Sequence, residues 1–372
     1  MTEKFDVLVV GAGIVGLAHA VEAARRGLRV AIVERDHFCI GSSVRNFGFI
    51  TVTGQPEGET WRRARRTRDL WVRITSDASI PIEQRGLWVI GRRKAAAAVL
   101  EEFLSTDMGR ECRVLSAGEI QQTLPYLNLE SAAAVLYSPH EIRIESRVAI
   151  PRLAEWLERV RGVRIFWGTT VVDVQADRVL TNFGQIHAER IVVCPGTDLT
   201  GIIAPWIADL SLRLTRLQML RVKPHDRLDV PSAVMSDLSL VRYGGYTARK
   251  ASAHLMNQLA AEEAEALEAG IHLIAVQSAD GTFVIGDSHH EQRAAQPFAS
   301  EKIDQIILRL FAEAIRVNEF DVVERWVGTY PVGFERDALI RAPHETVRLV
   351  LVTSGTGAST AFGIAEEVFE AW

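Results

Sequence analysis

Short apolar runs alternate with helix-type segments at both ends of the chain. Residues 5–10 are rich in valine and leucine, as expected for a strand buried in a parallel sheet. A glycine-rich turn, a helix over 17–26 and a second strand over 29–33 follow. Near the carboxyl end the order recurs, with a strand over 349–353, a small-residue turn and a helix that runs to residue 369. Both ends therefore predict strand–turn–helix units of an α/β fold.

The middle of the chain predicts strands and helices in a less regular order. Strands are expected at 86–91, 163–167, 171–174 and 188–193, with hairpins over 179–186 and over 271–276 with 282–285. Helices are expected at 94–105, at 151–161 and, as one long element, at 249–269. The four glutamates near the end of that last helix predict a solvated face, and a lid or an oligomer contact is the alternative.

The first glycine-rich turn has the spacing of a dinucleotide-binding motif. Gly11 permits the tight turn, Gly13 lets the backbone approach a pyrophosphate, and Gly16 lets the helix pack closely on the strand. The helix N-terminus adds partial positive charge. Glu34, at the end of the second strand, stands where a carboxylate usually accepts hydrogen bonds from ribose. A glycine turn without a ligand is the alternative.

Two further small-residue segments favour FAD over NAD. Residues 41–49 form a poor helix and a poor strand, and we expect them to lie against a flat ligand. Residues 354–360 precede the last helix, whose N-terminus can stabilise negative charge on a ring system. One long ligand with a pyrophosphate and an electron-rich ring would use both helix N-termini.

Composition narrows the class of protein. The 372 residues are 48% apolar, and the net charge of −5 argues against a disordered chain and against nucleic-acid binding. The chain has five lysines and 37 arginines, some of which are candidates for anion binding. Three cysteines, Cys39, Cys112 and Cys194, suit neither a disulfide framework nor a zinc site, and no metal is expected. No targeting segment or membrane span is apparent, so a cytoplasmic protein is expected.

The glycine motifs resemble those of the D-amino-acid oxidase superfamily of FAD oxidoreductases, in its glycine oxidase and sarcosine oxidase branch. The resemblance covers essentially the whole chain. It implies FAD contacts at Gly11, Gly13, Ile14, Val15, Gly16, Glu34, Arg35, Ser42, Ser43, Arg45, Asn46, Phe47, Gly48, Val172, Gly196, Gly355, Thr356, Gly357, Ala358, Ser359 and Thr360. It also implies non-covalent FAD, because no cysteine follows Cys194 near the last glycine motif.

The resemblance implies two interleaved domains. A Rossmann-like FAD-binding domain takes 1–85, 145–215 and 325–372. An α+β substrate domain with an antiparallel sheet takes 86–144 and 216–324. The fold class expected is therefore α/β with an α+β substrate domain.

The motif that holds the substrate carboxylate in this family departs from the family pattern. The family has an arginine in Trp-x-Gly-x-Arg-Pro, whereas residues 326–331 place Tyr330 at that position. A lost charged contact costs about 1.5–3 kcal/mol per hydrogen bond, so plain amino acids become poor candidates. The stretches 43–48 and 54–56 resemble a subgroup associated with bacterial phosphonate breakdown, which implies an aminophosphonate substrate.

Several side chains are candidates for holding the anion of such a substrate. They are Arg45, Arg242, Tyr243, Tyr246, His289, His290 and Tyr330. Five of them have a plainer alternative: an ion pair for Arg45, ordinary packing for Tyr243 and Tyr246 near Gly244, and a surface loop for His289 and His290.

The resemblance implies oxidation of a small anionic amine by hydride transfer to flavin N5, followed by imine hydrolysis. No catalytic acid or base can be assigned from the sequence. Oxygen or another acceptor would reoxidise the flavin, and a homo-oligomer is an open expectation. One alternative is a glycine, sarcosine or D-amino-acid oxidase that uses another arginine. The other is a flavin-binding subunit without turnover.

Overall fold

The computed structural model describes residues 4–372, which form two β-sheets with helices packed on them. The strands are β1 (Lys4–Val10), β2 (Val30–Val33), β3 (Phe49–Ile50), β4 (Ile82–Gly91), β5 (Arg113–Leu115), β6 (Ala134–Ile144), β7 (Arg164–Phe166), β8 (Val171–Val174), β9 (Arg178–Thr181), β10 (Gly184–Val193), β11 (Arg213–Pro224), β12 (Ala233–Ser236), β13 (Ile274–Gln277), β14 (Phe283–Gly286), β15 (His290–Gln292), β16 (Phe320–Val332), β17 (Ala338–His344) and β18 (Val347–Val352). The helices are α1 (Ile14–Arg25), α2 (Glu59–Asp77), α3 (Lys94–Leu104), α4 (Ala117–Ile120), α5 (Ser146–Arg161), α6 (Gly244–Thr247), α7 (Ser252–Glu262), α8 (Ala264–Glu268), α9 (Glu301–Ala314) and α10 (Gly357–Glu370).

The first sheet has the order β17-β18-β10-β1-β2-β7. Its strands are parallel from β18 to β7, and β17 runs antiparallel to β18. Val7 and Val9 pack among apolar residues of α1, α5 and α10, while Leu8 packs in a separate cluster on the other face. This sheet is thus covered on both faces, which explains the apolar run over residues 7–10 of β1.

The second sheet is mostly antiparallel. Its order is β15-β11-β14-β13-β12-β4-β6-β3, with β16 paired to β11 and β5 paired to β6. Helices α3, α7 and α9 add apolar side chains to its core. The combination of a parallel sheet and a mainly antiparallel one confirms the expected α/β fold class.

The strands of the second sheet cross the boundaries expected for the two domains. Strand β16 pairs with β11 along its whole length, from Phe320 opposite Pro224 to Val332 opposite Arg213. Residues 325–332 therefore pair within the second sheet. The short β3, at Phe49–Ile50, also pairs within that sheet. The division into two interleaved domains stays a prediction.

Helix α1 begins at Ile14, three residues before the predicted start, and two other helices differ more from the sequence prediction. Helix α5 begins at Ser146 rather than at Pro151, because Ala149 and Ile150 are buried in the core shared with α1 and hold the earlier turn in place. The single helix expected over 249–269 is instead α7 and α8, separated at Glu263, which is not helical. The Glu263 carboxylate accepts hydrogen bonds from Arg309 and Arg93, so part of the expected solvated face is an ion-pair cluster.

No helix within residues 4–372 is both long enough and apolar enough to cross a membrane.

Candidate active site

A cleft of about 460 Å³ lies where the carboxyl ends of β1, β10 and β18 meet the second sheet. Ligands of open α/β sheets bind at these strand ends. We call the glycine arm the part of the lining formed by Gly13, Ile14, Val15, Gly16, Ser42, Ser43, Gly196, Gly355, Thr356, Gly357, Ala358 and Ser359. We call the polar arm the part formed by Gln55, Arg242, Tyr243, His272, Asp287, His289 and Tyr330.

The glycine arm contains the N-termini of two helices. Helix α1 begins at Ile14 and α10 at Gly357, and neither has an acidic residue in its first turn. The partial positive charge of both termini is therefore left for a ligand. The Ile14 N–H donates to the Ser43 hydroxyl at 2.8 Å, which ties the loop after β2 to the first glycine turn.

The glycines of this arm fit an extended cofactor. A Cβ on Gly13 would lie 3.2 Å from Ser43 Oγ, so a side chain there would crowd the floor of the arm. A Cβ on Gly16 would lie 1.9 Å from the carbonyl oxygen of Gly11, so the close approach of helix and strand requires glycine. The residues present thus fit the pyrophosphate and ring system of FAD. The N-terminus of α1 follows the first glycine turn, and that of α10 follows the second.

Asn46 shapes the loop that closes the glycine arm. Its side-chain amide donates to the carbonyls of Ser42 and Ser43, and its Oδ1 accepts from the Gly48 N–H at 2.7 Å. The Ser42 hydroxyl donates to the carbonyl of Thr329 in β16 at 2.6 Å. The loop is thereby fixed between the two sheets, with Ser42, Ser43, Arg45, Asn46 and Phe47 lining the cleft.

Some residues expected at the FAD site do not line this cleft. They are Gly11, Glu34, Arg35, Gly48, Val172 and Thr360. Glu34 accepts hydrogen bonds from the N–H groups of Ala12 and Asp36, so its carboxylate braces the glycine turn. Arg35 pairs with Asp198 at 2.8 Å. Val172 lies in β8 with 57% of its surface exposed.

In the polar arm an arginine meets the tyrosine that replaces the family's arginine. Arg242 Nη2 donates to the Tyr330 hydroxyl at 3.3 Å, and both side chains line the cleft. Burial raises the pKa of Tyr330, so its hydroxyl stays protonated and can donate in turn. The ring of Tyr330 also packs on Gly355, where a Cβ would lie 2.9 Å from Cζ. The two arms of the cleft meet at this contact.

Two histidines and an aspartate form a buried cluster in the same arm. His272 Nε2 lies 3.4 Å from Asp287 Oδ1, and His289 Nε2 lies 3.8 Å from Asp287 Oδ2. Burial raises the pKa of Asp287 to about 7, against the opposing effect of the Arg242 charge. Burial lowers the pKa of both histidines well below the usual value, and the Arg242 charge lowers it further. The imidazoles are therefore neutral, and Asp287 titrates near neutral pH.

The remaining substrate candidates lie in different places. Tyr243 and Arg45 line the cleft, and Arg45 Nε also donates to the Ile40 carbonyl. Tyr246 is fully buried, packs against Phe103 and does not line the cleft. His290 also lies outside the cleft, in β15, where it pairs with Arg216 of β11.

Sequence reasoning missed His272 and Asp287. They come together because β13 and β14 pair with Ile274 opposite Gly286. His272, two residues before β13, therefore lies beside Asp287, which directly follows β14. One feature of the sequence could have indicated them: His272 and Asp287 are polar residues at the open end of the predicted hairpin over 271–276 with 282–285. The sequence predicted the hairpin but not its register, and the register determines which side chains meet.

Comparisons with known proteins show which family the chain is similar to. The DAO family, described as FAD dependent oxidoreductase, matches residues 6–371. A glycine oxidase of Geobacillus kaustophilus is 26% identical over 231 residues, which is 58% of this chain and 58% of that protein. A monomeric sarcosine oxidase of a Bacillus species is 24% identical over 221 residues, 57% of this chain and 56% of that protein. The matched region thus spans a little over half the length of these curated relatives.

A solved structure extends the likeness to the whole fold. The dithionite-reduced L-α-glycerophosphate oxidase of Mycoplasma pneumoniae with FAD bound superposes with a TM-score of 0.76 at 19% identity. The superposition covers 100% of this chain and 95% of that one.

Proposed function

The chain belongs to the DAO family of FAD-dependent oxidoreductases, and on that premise we propose that it oxidises a small anionic amine, with an aminophosphonate preferred to an amino acid. The relatives named glycine oxidase and sarcosine oxidase favour a substrate with a C–H bond next to an amine nitrogen. Candidate substrates are 2-aminoethylphosphonate and its N-methyl derivative. The imine product would be hydrolysed by water.

The cofactor supplies the redox chemistry and the chain supplies orientation. FAD, when bound, accepts the hydride from the carbon next to the amine at its N5 atom. The glycine arm would hold FAD through the backbone at Gly13 and Gly357 and through the loop that contains Ser43. The polar arm would hold the substrate, because it combines a cation, hydroxyls and a carboxylate within reach of that loop. Alignment of the C–H bond is the main contribution required of the protein.

The pairing of Arg242 with Tyr330 carries the proposal for an anionic substrate. The family motif loses its arginine at Tyr330, and a guanidinium from another element stands 3.3 Å from the Tyr330 hydroxyl. A guanidinium and a phenol together offer several N–H donors and one O–H donor. That set suits the three oxygens of a phosphonate, which needs more donors than a carboxylate does.

Residues 54–56 support the phosphonate preference by their position. Gln55 and Pro56 line the cleft, and a Cβ on Gly54 would lie 2.5 Å from the ring of Tyr246. The segment that resembles the phosphonate-associated subgroup is thus held against the substrate side of the cleft. Tyr246 would then act by packing beneath this segment rather than by touching the substrate.

Anaerobic reduction of the flavin tests the proposal. The purified yellow protein is mixed without oxygen with N-methyl-2-aminoethylphosphonate, 2-aminoethylphosphonate, sarcosine or glycine, and the flavin absorbance is followed. We expect the phosphonates to bleach the flavin band faster than the amino acids. Bleaching by sarcosine or glycine alone would identify an amino-acid oxidase. No bleaching by any amine, with a partner protein co-purifying, would favour a flavin-binding subunit without turnover.

A further inference from the structure

The cluster of His272, Asp287 and His289 presents hydrogen-bond acceptors without matching donors. One ligand atom from each of the three residues lies within 4.8 Å of the other two. Asp287 is 4% exposed, and its buried Oδ1 has no hydrogen-bond partner. An unpaired buried acceptor costs about 1–3 kcal/mol, and more when it is charged. Such an unpaired buried acceptor is explained when a ligand supplies the missing donor.

The hydrogen bonds around the two imidazoles assign their protons. His289 Nδ1 lies 2.9 Å from the carbonyl oxygen of Gly270, which only accepts, so Nδ1 carries the proton. His272 Nδ1 lies 3.3 Å from Ser239 Oγ, whose hydroxyl is directed at the carbonyl of Leu273. Ser239 then accepts from Nδ1–H of His272. In both neutral rings Nε2 bears a lone pair, and both Nε2 atoms face the Asp287 carboxylate.

The ligand that fits three converging acceptors is a group with several N–H donors and one positive charge. An ammonium group meets both conditions. A divalent metal ion also binds two imidazoles and a carboxylate. The positive charge of Arg242 is close enough to lower the pKa values of all three residues, and it would repel a dication more strongly than a monocation. The surroundings therefore favour the monocation.

Resting on the proposed function, we infer that this cluster receives the substrate ammonium group and that Asp287 takes one proton from it. The N–H bond of the ammonium breaks, its electron pair stays on nitrogen, and an O–H bond forms on the carboxylate. A neutral amine and a carboxylic acid result. The amine lone pair is then available to assist departure of the hydride from the neighbouring carbon.

The two ends of the substrate would thus have separate sites in one arm. Arg242 and Tyr330 face the anion, and the cluster faces the amine. His289 joins the two sites, because its ring lies edge-on to that of Tyr330 with centroids 6.1 Å apart. The charged and titratable groups facing Asp287 are His272, His289, Arg242, Tyr243 and Tyr330.

Paired ligands separate the amine contact from the anion contact. Calorimetry compares 2-aminoethylphosphonate with ethylphosphonate, and sarcosine with acetate, on wild-type protein, Asp287→Asn and His290→Asn. His290 is the matched control, because it adjoins His289 but lies outside the cleft. We expect Asp287→Asn to weaken binding of the amine-bearing ligands at least about tenfold, and to leave the anion-only ligands within about twofold. His290→Asn should change neither.

A pH profile gives an independent readout. The rate of flavin reduction at low substrate concentration should rise with pH through about 7 in the wild type, where Asp287 loses its proton. The Asp287→Asn variant should lack that rise. If Asp287→Asn fails to fold, His289→Gln replaces it, with the same selective loss expected for amine ligands.

Several results would overturn the inference. If Asp287→Asn weakens the binding of both ligands in a pair equally, the cluster has a structural role. If it leaves the binding of the amine-bearing ligands unchanged, the cluster does not contact the substrate amine. Stoichiometric zinc or iron in the purified protein that is lost in His289→Gln would make it a metal site. If no amine binds or reduces the wild-type flavin, the proposed function itself fails. Amine turnover without a selective loss in Asp287→Asn would overturn this inference alone.

Discussion

At the scale of single residues, the proposed function predicts that the charge of Arg242 contributes strongly to substrate affinity. Arg242→Met removes the guanidinium beside Tyr330 and keeps a side chain of similar length. Each charged hydrogen bond is worth about 1.5–3 kcal/mol, so the Kd of an anionic amine should rise at least about tenfold. The measurement is calorimetric binding, with Arg110→Met as control, because Arg110 and its partner Asp107 are both exposed. An unchanged Kd in Arg242→Met would place the anion elsewhere.

Asp287 makes stability depend on pH in a specific direction. Its pKa is raised from 3.8 to about 7 in the folded state. Below pH about 4 the Asp287 carboxyl is protonated in both the folded and the unfolded state, so it does not change the free energy of unfolding. Between about 4 and 7 the unfolded chain releases the proton first, so stability falls as pH rises, by up to about 4 kcal/mol above pH 7. Asp287→Asn should therefore stabilise the protein more at pH 8 than at pH 5, by about 3 kcal/mol.

Urea unfolding of the wild type and of Asp287→Asn at these two pH values measures this effect. Asp77→Asn is the control, since that carboxylate lies exposed at the end of α2. A gain in free energy of unfolding that is the same at both pH values would contradict the raised pKa.

The residues that the sequence predicted and those that it missed differ in a physical way. Gly13, Ser43 and Gly357 line the cleft and belong to local motifs, whose spacing along the chain reveals their role. His272 and Asp287 lie 15 positions apart and meet only through the pairing of β13 with β14. The sequence predicted the two strands, but which side chains meet depends on the exact register, which the turn and the packing of the strands determine together.

At the scale of elements, the loop between β2 and β3 is expected to hold the ring end of FAD. Gly48 has φ of +67°, and a Cβ there would lie 1.8 Å from the carbonyl oxygen of Ile144. Gly27 has φ of +77° with nothing within 4 Å of the position of a Cβ. Both Gly→Ala changes incur the left-handed cost of about 1–2 kcal/mol, but only Gly48→Ala also forces the backbone apart.

We therefore expect Gly27→Ala to lower the melting temperature modestly and to keep its flavin. Gly48→Ala should lower it further and lose flavin on purification. The ratio of absorbance at the flavin band to that at 280 nm reports cofactor content. Equal flavin content in the two variants would mean that this loop does not contribute to the cofactor site.

The elements themselves were predicted unevenly, for reasons of packing. The apolar run of β1 was recognised because burial on both faces leaves a clear signature. Helix α5 was predicted too short, because burial of Ala149 and Ile150 outweighs the local preference to begin at Pro151. The long helix was predicted without its break, because the ion pairs of Glu263 come from distant parts of the chain.

At the scale of the whole molecule, the cleft joins the two sheets. Its lining takes Gly13 and Gly357 from the first sheet and its helices, and Leu217 and Ile274 from the second. A ligand that spans the cleft should stabilise both sheets together. At a free concentration of 100 times its Kd, FAD should stabilise the flavin-free protein by about 2.7 kcal/mol, in one cooperative transition.

Differential scanning calorimetry of the flavin-free protein with and without FAD measures this coupling. Riboflavin at the same concentration is the control, because it lacks the pyrophosphate and the adenosine that the first glycine turn would hold. Two separate transitions, of which FAD shifts only one, would contradict a cofactor site shared by both sheets.

The proposed substrate is an amine that carries an anion at its other end. Stopped-flow mixing without oxygen measures flavin reduction by N-methyl-2-aminoethylphosphonate and by N-methylpropylamine, which has a similar length but no anion. Loss of two charged contacts to the anion predicts that the ratio of rate constant to Kd falls at least about 100-fold for the amine without an anion. Equal ratios for the two amines, or reduction by neither, would contradict the account.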